Sequence, residues 1–135
     1  NTCLFNCSRR ALSLRRKDKE RFQVYLAHAA EAVASGFRQK IGFINFVQDV
    51  TPHCDCAAPA GRALFADIGI LASTDPVALD KASLDLIDKA RMIRAPKAIS
   101  GPDKLGKWHQ VDSLVQLRTA QELGMGSMDY TLSNL

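Results

Sequence analysis

Two short apolar runs, separated by a segment that contains Cys, Pro and Gly, most constrain what this chain can fold into. The runs are 41–48 and 67–72, and both place apolar residues at consecutive positions. Strands buried on both faces have this pattern, which is typical of parallel sheets covered by helices. The linking segment 51–66 exceeds the dozen or so residues that a parallel crossover needs. The sequence therefore predicts two neighbouring, mostly parallel strands in the middle of one sheet.

Three further segments show the spacing of apolar residues that is typical of helices. They are 18–35, 76–90 and 113–123. Ser73 or Asp75 can cap the start of the second helix, because Ser and Asp are favoured at the N-cap, and Pro76 suits its first helical position. The fold class that follows is α/β, with a mostly parallel or mixed sheet and helices packed on it.

The length and composition are those of one globular domain. The chain has 135 residues, of which 47% are hydrophobic and 24% charged, and these proportions are ordinary for a soluble protein. The net charge of +4 is concentrated between Arg9 and Arg21, where no aromatic residues interleave with the charges. That pattern favours a solvated connector over a surface for single-stranded nucleic acid. No window approaches the roughly 18 apolar residues of a membrane span, so we expect neither a nucleic-acid nor a membrane partner.

Four cysteines occur as two close pairs, Cys3 with Cys7 and Cys54 with Cys56. Small secreted domains use cysteines to connect distant loops, so close pairs indicate ligands in a reducing compartment, and we expect the cytoplasm. Alternate residues of an extended segment point the same way, so Cys54 and Cys56 can present both sulfurs to one centre. With His53 they form a ligand set suited to zinc or iron–sulfur. The alternative is that both are small buried apolar residues.

Other candidate site residues lie near the second run and in the loop-rich segment 91–110. Asp75 and Asp80 could bind a metal or a substrate, the alternatives being a helix cap for Asp75 and simple surface exposure for Asp80. His109 is a candidate general acid or base, the alternative being a solvated loop histidine. The sequence contains no phosphate-binding glycine motif, no HExxH and no GxSxG, so no catalytic residue is assigned and an enzymatic activity is left open.

A family resemblance rests on two motifs, T-P-H-C-D-C at 51–56 and D-I-G-I-L-A-S-T-D-P-V-A-L-D-K-A-S-L-D-L at 67–86. Both resemble segments of the uncharacterised iron–sulfur centre proteins of anaerobic bacteria and archaea, which are grouped under a domain of unknown function. The segment 122–130 is similar to the closing segment of that family. The resemblance implies a four-iron, four-sulfur cluster in the full-length protein and a role related to electron transfer, with a redox partner.

The same resemblance implies how the chain is divided. The family commonly carries a ferredoxin-like insertion, and Cys3-x3-Cys7 matches the last two cysteines of the ferredoxin run C-x2-C-x2-C-x3-C-P. The first two cysteines are absent here, and Ser8 stands where proline is usual. Residues 1–17 are then a remnant of that motif with a basic connector. Residues 18–135 are a single α/β domain, which we expect to be the C-terminal part of a larger protein because the chain begins at Asn1.

The cysteine spacing and the family resemblance together imply a set of metal ligands, which are Cys3, Cys7, Cys54, Cys56 and His53. A ferredoxin-type cluster cannot be completed by this chain alone, so a fragment without a cofactor is one expectation for the isolated chain. Two other functions stay open. One is an enzyme domain that binds a small molecule through Asp75 and Asp80, and the other is a zinc-stabilised structural module.

Overall fold

The computed structural model describes residues 6–9, 11, 13, 15–37, 40–54, 60–94 and 99–134. The helices and strands assigned there are, in chain order, α1 (Arg16–Ser35), β1 (Phe43–Val47), β2 (Gly69–Ser73), α2 (Pro76–Lys89), α3 (Lys104–His109) and α4 (Val115–Glu122). The α/β class is confirmed, and helices pack on the sheet. Both strands and the three predicted helices lie close to their predicted positions, whereas α3 is a short helix inside a segment that the sequence predicts to be loop.

The predicted parallel orientation of the two strands is wrong. β1 and β2 pair antiparallel, with Phe43 opposite Ser73 and Val47 opposite Gly69. The reason lies in the connection, which folds back along itself instead of crossing over the sheet. Within it, the Leu64 N–H donates to the Val50 carbonyl at 2.8 Å, and the Ile68 N–H donates to the Val47 carbonyl at 2.9 Å. In the part of the chain that the structure describes, the sheet has two strands, so neither is central.

The two faces of the strand pair have different surroundings. Helix α2 covers one face, where Val47 and Leu71 are buried. Residues directly opposite each other in an antiparallel pair lie on the same face, and Phe46 is opposite Ile70. Both of these side chains are exposed, Phe46 at 64% and Ile70 at 60% of their surface. Among the described residues, the consecutive apolar residues of β1 and β2 therefore lie on two different faces. One face is buried under α2, and the other is apolar but exposed.

Helix α2 contributes to both hydrophobic clusters of the described residues. The first cluster fills the space between α2 and the sheet and consists of Val47, Leu64, Phe65, Leu71, Leu79, Ala82 and Ile87. The second joins α1, α2 and α4 through Ala27, Val77, Leu117 and Ala120. Since α2 carries residues of both clusters, the sheet and the helical pair α1–α4 are fixed to opposite sides of one helix.

Helix α1 packs on α4 through a narrow contact. Ala27 is buried there, while Phe22 and Val33 remain 62% and 65% exposed. Two side chains of α1 also donate to backbone carbonyls at the end of α3 and in the segment that follows it. The Lys19 ammonium is 2.9 Å from the His109 oxygen, and the Gln23 amide nitrogen is 3.2 Å from the Asp112 oxygen. These bonds fix the N-terminal half of α1 beside the segment that connects α3 to α4.

We expect Leu71→Ala to lower the free energy of unfolding by about 2–5 kcal/mol, because it removes a buried Leu side chain from the first cluster. The matched control is Ile70→Ala on the adjacent, exposed position of the same strand, for which we expect a change below about 1 kcal/mol. Urea unfolding followed by circular dichroism measures both. Equal losses for the two variants would contradict the burial pattern of β2.

Candidate functional site

A polar cleft of about 520 Å³ lies beyond the end of β1. One wall is the segment 48–54 with Ala60 and Gly61, and His109 at the end of α3 contributes to the opposite side. The cleft therefore combines a loop from the strand region with a histidine from the helical region.

Backbone hydrogen bonds and two unusual dihedral angles fix the loop wall. Asp49 has φ of +45°, a conformation that non-glycine residues adopt rarely, and its N–H donates to the Asp67 carboxylate at 2.9 Å. The His53 N–H donates to the Ala60 carbonyl at 3.2 Å. Gly61 has φ of +93°, and a Cβ there would approach the Pro52 ring to 3.0 Å. The segment that carries His53 is thus anchored at both sides of the cleft.

His53 and His109 face each other across this cleft. Their ring centroids are 6.3 Å apart, and the rings are tilted by 56°. The position of His109 is set by α3, which begins with an Asp103 side chain accepting from the Gly106 N–H at 3.0 Å. No sequence signal pairs these two histidines, because the contact arises from tertiary packing of segments far apart in the chain.

The electrostatic surroundings of His109 favour its neutral form. Burial lowers the pKa of its imidazole, and the positive charges of His53 and Lys19 lower it further. A neutral imidazole has a nitrogen that can accept a proton or bind a metal ion. His109 is half-buried at the end of a helix, so it is not a solvated loop histidine. Its role as a general acid or base stays a prediction.

Cys54 lines the same cleft and is exposed, and its role as a metal ligand stays a prediction. Cys7 is half-buried, and its sulfur accepts from the Ala11 N–H at 3.3 Å. The predicted ligands Cys3 and Cys56 lie outside the described residues. Within the described ranges, no group of three or more His, Cys, Asp or Glu side chains could hold one metal ion.

Asp75 joins the start of α2 to the C-terminal segment. One carboxylate oxygen accepts from the Ala78 N–H at 2.9 Å, and the other accepts from the Ser127 N–H at 2.9 Å. Gly126 passes so close that an added Cβ would overlap the carboxylate. These contacts are those of the helix-cap alternative, while a binding role for Asp75 stays a prediction.

Asp80 lies under the sheet, where it bonds to Asn45. The Asn45 amide nitrogen is 2.7 Å from the Asp80 carboxylate and 3.1 Å from the Ser83 hydroxyl, which donates to the Leu79 carbonyl. Partly buried amides need such partners. Neither Asp80 nor Asp75 is among the described residues that line the cleft, so the structure brings together His53, Cys54 and His109 but not the two carboxylates.

The family model described as "Domain of unknown function (DUF362)" matches residues 3–85. The chain belongs to this family. No curated protein and no solved structure matches it. The DUF362 match includes both strands, most of α2 and the cleft loop with His53 and Cys54. His109 lies beyond the matched residues, so the second histidine of the cleft comes from outside the matched part of this DUF362 chain.

None of the described helices of this DUF362 chain is long and apolar enough to cross a lipid bilayer.

We expect Gly126→Ala to destabilise the protein by about 1–3 kcal/mol, because the new methyl group overlaps the Asp75 carboxylate. Asp75→Ala should cost about 0.5–2 kcal/mol through loss of the cap. In the Asp75→Ala background the overlap is gone, so the added cost of Gly126→Ala should be much smaller.

Chemical denaturation of the two single variants and the double variant measures this coupling. Gly42→Ala is the matched control, since an added Cβ at Gly42 meets no atom within 4 Å. Strictly additive losses for the Asp75 and Gly126 substitutions would show that the carboxylate does not lie against Gly126.

Proposed function

We propose that this chain contributes thiolate and imidazole ligands to a metal centre at the cleft beyond β1, and that this centre is an iron–sulfur cluster with a role related to electron transfer. The observation that carries the proposal is the exposed thiol of Cys54 in the cleft where the His53 and His109 rings are 6.3 Å apart. Sulfur and imidazole donors are those that iron and zinc prefer in proteins.

The chemistry of the donors supports the proposal in a second way. Cysteine binds metals as a thiolate and histidine as neutral imidazole, and the pKa of His109 is lowered by burial and by the charges of His53 and Lys19. The anchored loop also supports a ligand role, because positions held by backbone bonds lose little freedom when they bind. His109 therefore favours the neutral imidazole form that a metal ligand requires, even when no metal is bound.

The described residues alone do not complete a cluster site. A four-iron cluster is usually held by four thiolates, so an imidazole ligand here would replace one of them. The described ranges contain two cysteines, Cys7 and Cys54. Cys56 follows Cys54 at a spacing of two in the sequence and is the next donor that we propose. The remaining ligands would come from the Cys3–Cys7 segment or from the larger protein that the family resemblance implies. Electron transfer would further require a redox partner.

The pair of histidines favours a second candidate, a structural zinc site. Zinc takes four ligands from Cys and His in tetrahedral geometry. His53, Cys54, Cys56 and His109 would supply such a set if the three described members moved closer together, because as they stand they do not form a group that could hold one ion. The proximity of the His53 and His109 rings is the observation that favours it. Zinc would link the loop after β1 to the end of α3. Removal of the zinc would therefore loosen the packing between the sheet and the α1–α4 pair.

We expect the purified chain to take up metal at this cleft when it is reconstituted under anaerobic conditions with iron and sulfide. The iron and sulfide contents of the wild-type chain, Cys54→Ser and Cys3→Ser are then compared. Loss of metal in Cys54→Ser alone supports the proposed centre, because Cys54 is the cysteine that lines the cleft among the described residues. Zinc without sulfide in the chain as purified would favour the structural site.

Two outcomes contradict the location of the centre. Equal metal content in all three proteins, or none in any of them, would leave Cys54 without a ligand role. Equal loss in Cys54→Ser and Cys3→Ser would instead indicate that the Cys3–Cys7 segment supplies remaining ligands of the same centre.

A further inference from the structure

A second and larger cleft lies on the side of His109 that faces helix α1. Its volume is about 800 Å³, and its described lining comes from the N-terminal half of α1 together with His109 and Val111. Clefts of about 300–1,000 Å³ are the usual size for sites that bind small molecules. His109, which is half-buried, contributes to the described lining of both clefts.

Two aromatic side chains of α1 form the apolar part of this cleft. Phe22 is 62% exposed and Tyr25 is 56% exposed, although both are large and lie one turn apart on the same helix. Exposed aromatic side chains in a concave surface offer rings against which a flat ligand can stack. The described part of the protein therefore leaves an aromatic surface open at a site large enough for a small molecule.

Two cations flank the aromatic rings. The Arg21 Nε–H donates to the Tyr25 hydroxyl at 3.0 Å, and the guanidinium lies 5.8 Å from the centre of the Tyr25 ring. This contact uses one of the five N–H donors of the guanidinium, a group whose geometry matches carboxylate and phosphate. Lys19 also lines this cleft, and its ammonium donates to the His109 carbonyl at 2.9 Å.

The acidic group at this cleft is already paired. The Asp18 carboxylate receives the Arg15 guanidinium at 3.0 Å and also accepts from the Arg15 backbone N–H. This pairing lowers the pKa of Asp18 through the hydrogen bonds from Arg15, so its negative charge is balanced by a cation of its own. Lys19 and Arg21 then give the cleft a positive charge that an anion complements.

We propose that this cleft binds a small molecule that combines one aromatic ring with one anionic group. The ring would stack on Phe22 and Tyr25, and the anion would bind the guanidinium of Arg21 with the ammonium of Lys19 nearby. The proposal requires no metal centre, since none of its binding groups comes from the loop that carries His53 and Cys54.

The test uses phenyl phosphate as the probe, with phenol and inorganic phosphate as separate controls, and titration calorimetry on the wild-type chain. We expect phenyl phosphate to bind more tightly than either component. We expect Phe22→Ala and Arg21→Gln each to weaken it by about tenfold or more, which corresponds to about 1.4 kcal/mol. Both residues are exposed, so the variants should fold, and circular dichroism verifies this.

Two variants on the same helix serve as matched controls. Leu26→Ala removes an exposed apolar side chain, and Lys17→Gln removes an exposed cation, and neither residue is among the described lining of the cleft. We expect both to bind phenyl phosphate as the wild type does. Cys54→Ser should also bind normally, which separates this proposal from the metal centre.

Several results would overturn the proposal. Binding of inorganic phosphate as tight as that of phenyl phosphate would show a charged surface without an aromatic site, and tight binding of phenol would show an apolar surface alone. No binding of phenyl phosphate, or equal losses in the control variants, would also reject it. If Phe22→Ala instead dissociates a dimer in sedimentation experiments, the cleft is an interface between copies of the chain.

Discussion

The structure depends on the packing of α2 against one face of the β1–β2 pair. Three carboxylates of this helix and its cap, each five positions after the previous one, fix the sheet and the C-terminal segment to α2. Asp75 accepts from the C-terminal segment, Asp80 accepts from Asn45 under the sheet, and Asp85 accepts from the Tyr130 hydroxyl at 2.9 Å. A helix buried on two sides can thus hold the sheet, α4 and the tail in one arrangement.

The Asp85 contact shows how hydrogen bonds stabilise a partly buried carboxylate of α2 in its charged form. Burial by itself raises the pKa of the Asp85 carboxyl, but hydrogen bonds from Lys81 and Tyr130 outweigh it and leave the pKa below its ordinary value. The same contact and burial raise the pKa of Tyr130. The ionised carboxylate and the neutral phenol are therefore the forms that join the tail to α2 at neutral pH.

Much of the secondary structure could be predicted because local patterns determine it. The apolar runs locate both strands, and Asp75 followed by Pro76 locates the start of α2, including its cap. The strand direction could not be predicted in this way, since backbone bonds inside the connecting loop decide it and these leave no apolar pattern. The same limit applies to the cleft, where His53 and His109 meet only through the packing of α3.

His109 contributes to both of the proposed binding sites, the metal centre and the cleft for a small molecule. One cleft offers thiol and imidazole groups, the other offers aromatic rings and cations, and His109 belongs to the described lining of both. A ligand in the larger cleft would lie beside the residue that we propose as a metal ligand. Small molecules bound there would then be placed next to the centre without contacting the loop that carries Cys54.

The most direct test of the proposed metal centre is X-ray absorption at the metal edge of the chain loaded with iron or zinc. We expect thiolate sulfur neighbours at about 2.3 Å from a zinc ion, or the sulfide and thiolate shell of a cluster for iron. We also expect an imidazole contribution that decreases in His109→Ala, where His53 remains. A shell made only of oxygen, or a spectrum unchanged by both His109→Ala and Cys54→Ser, would contradict a centre built at this cleft.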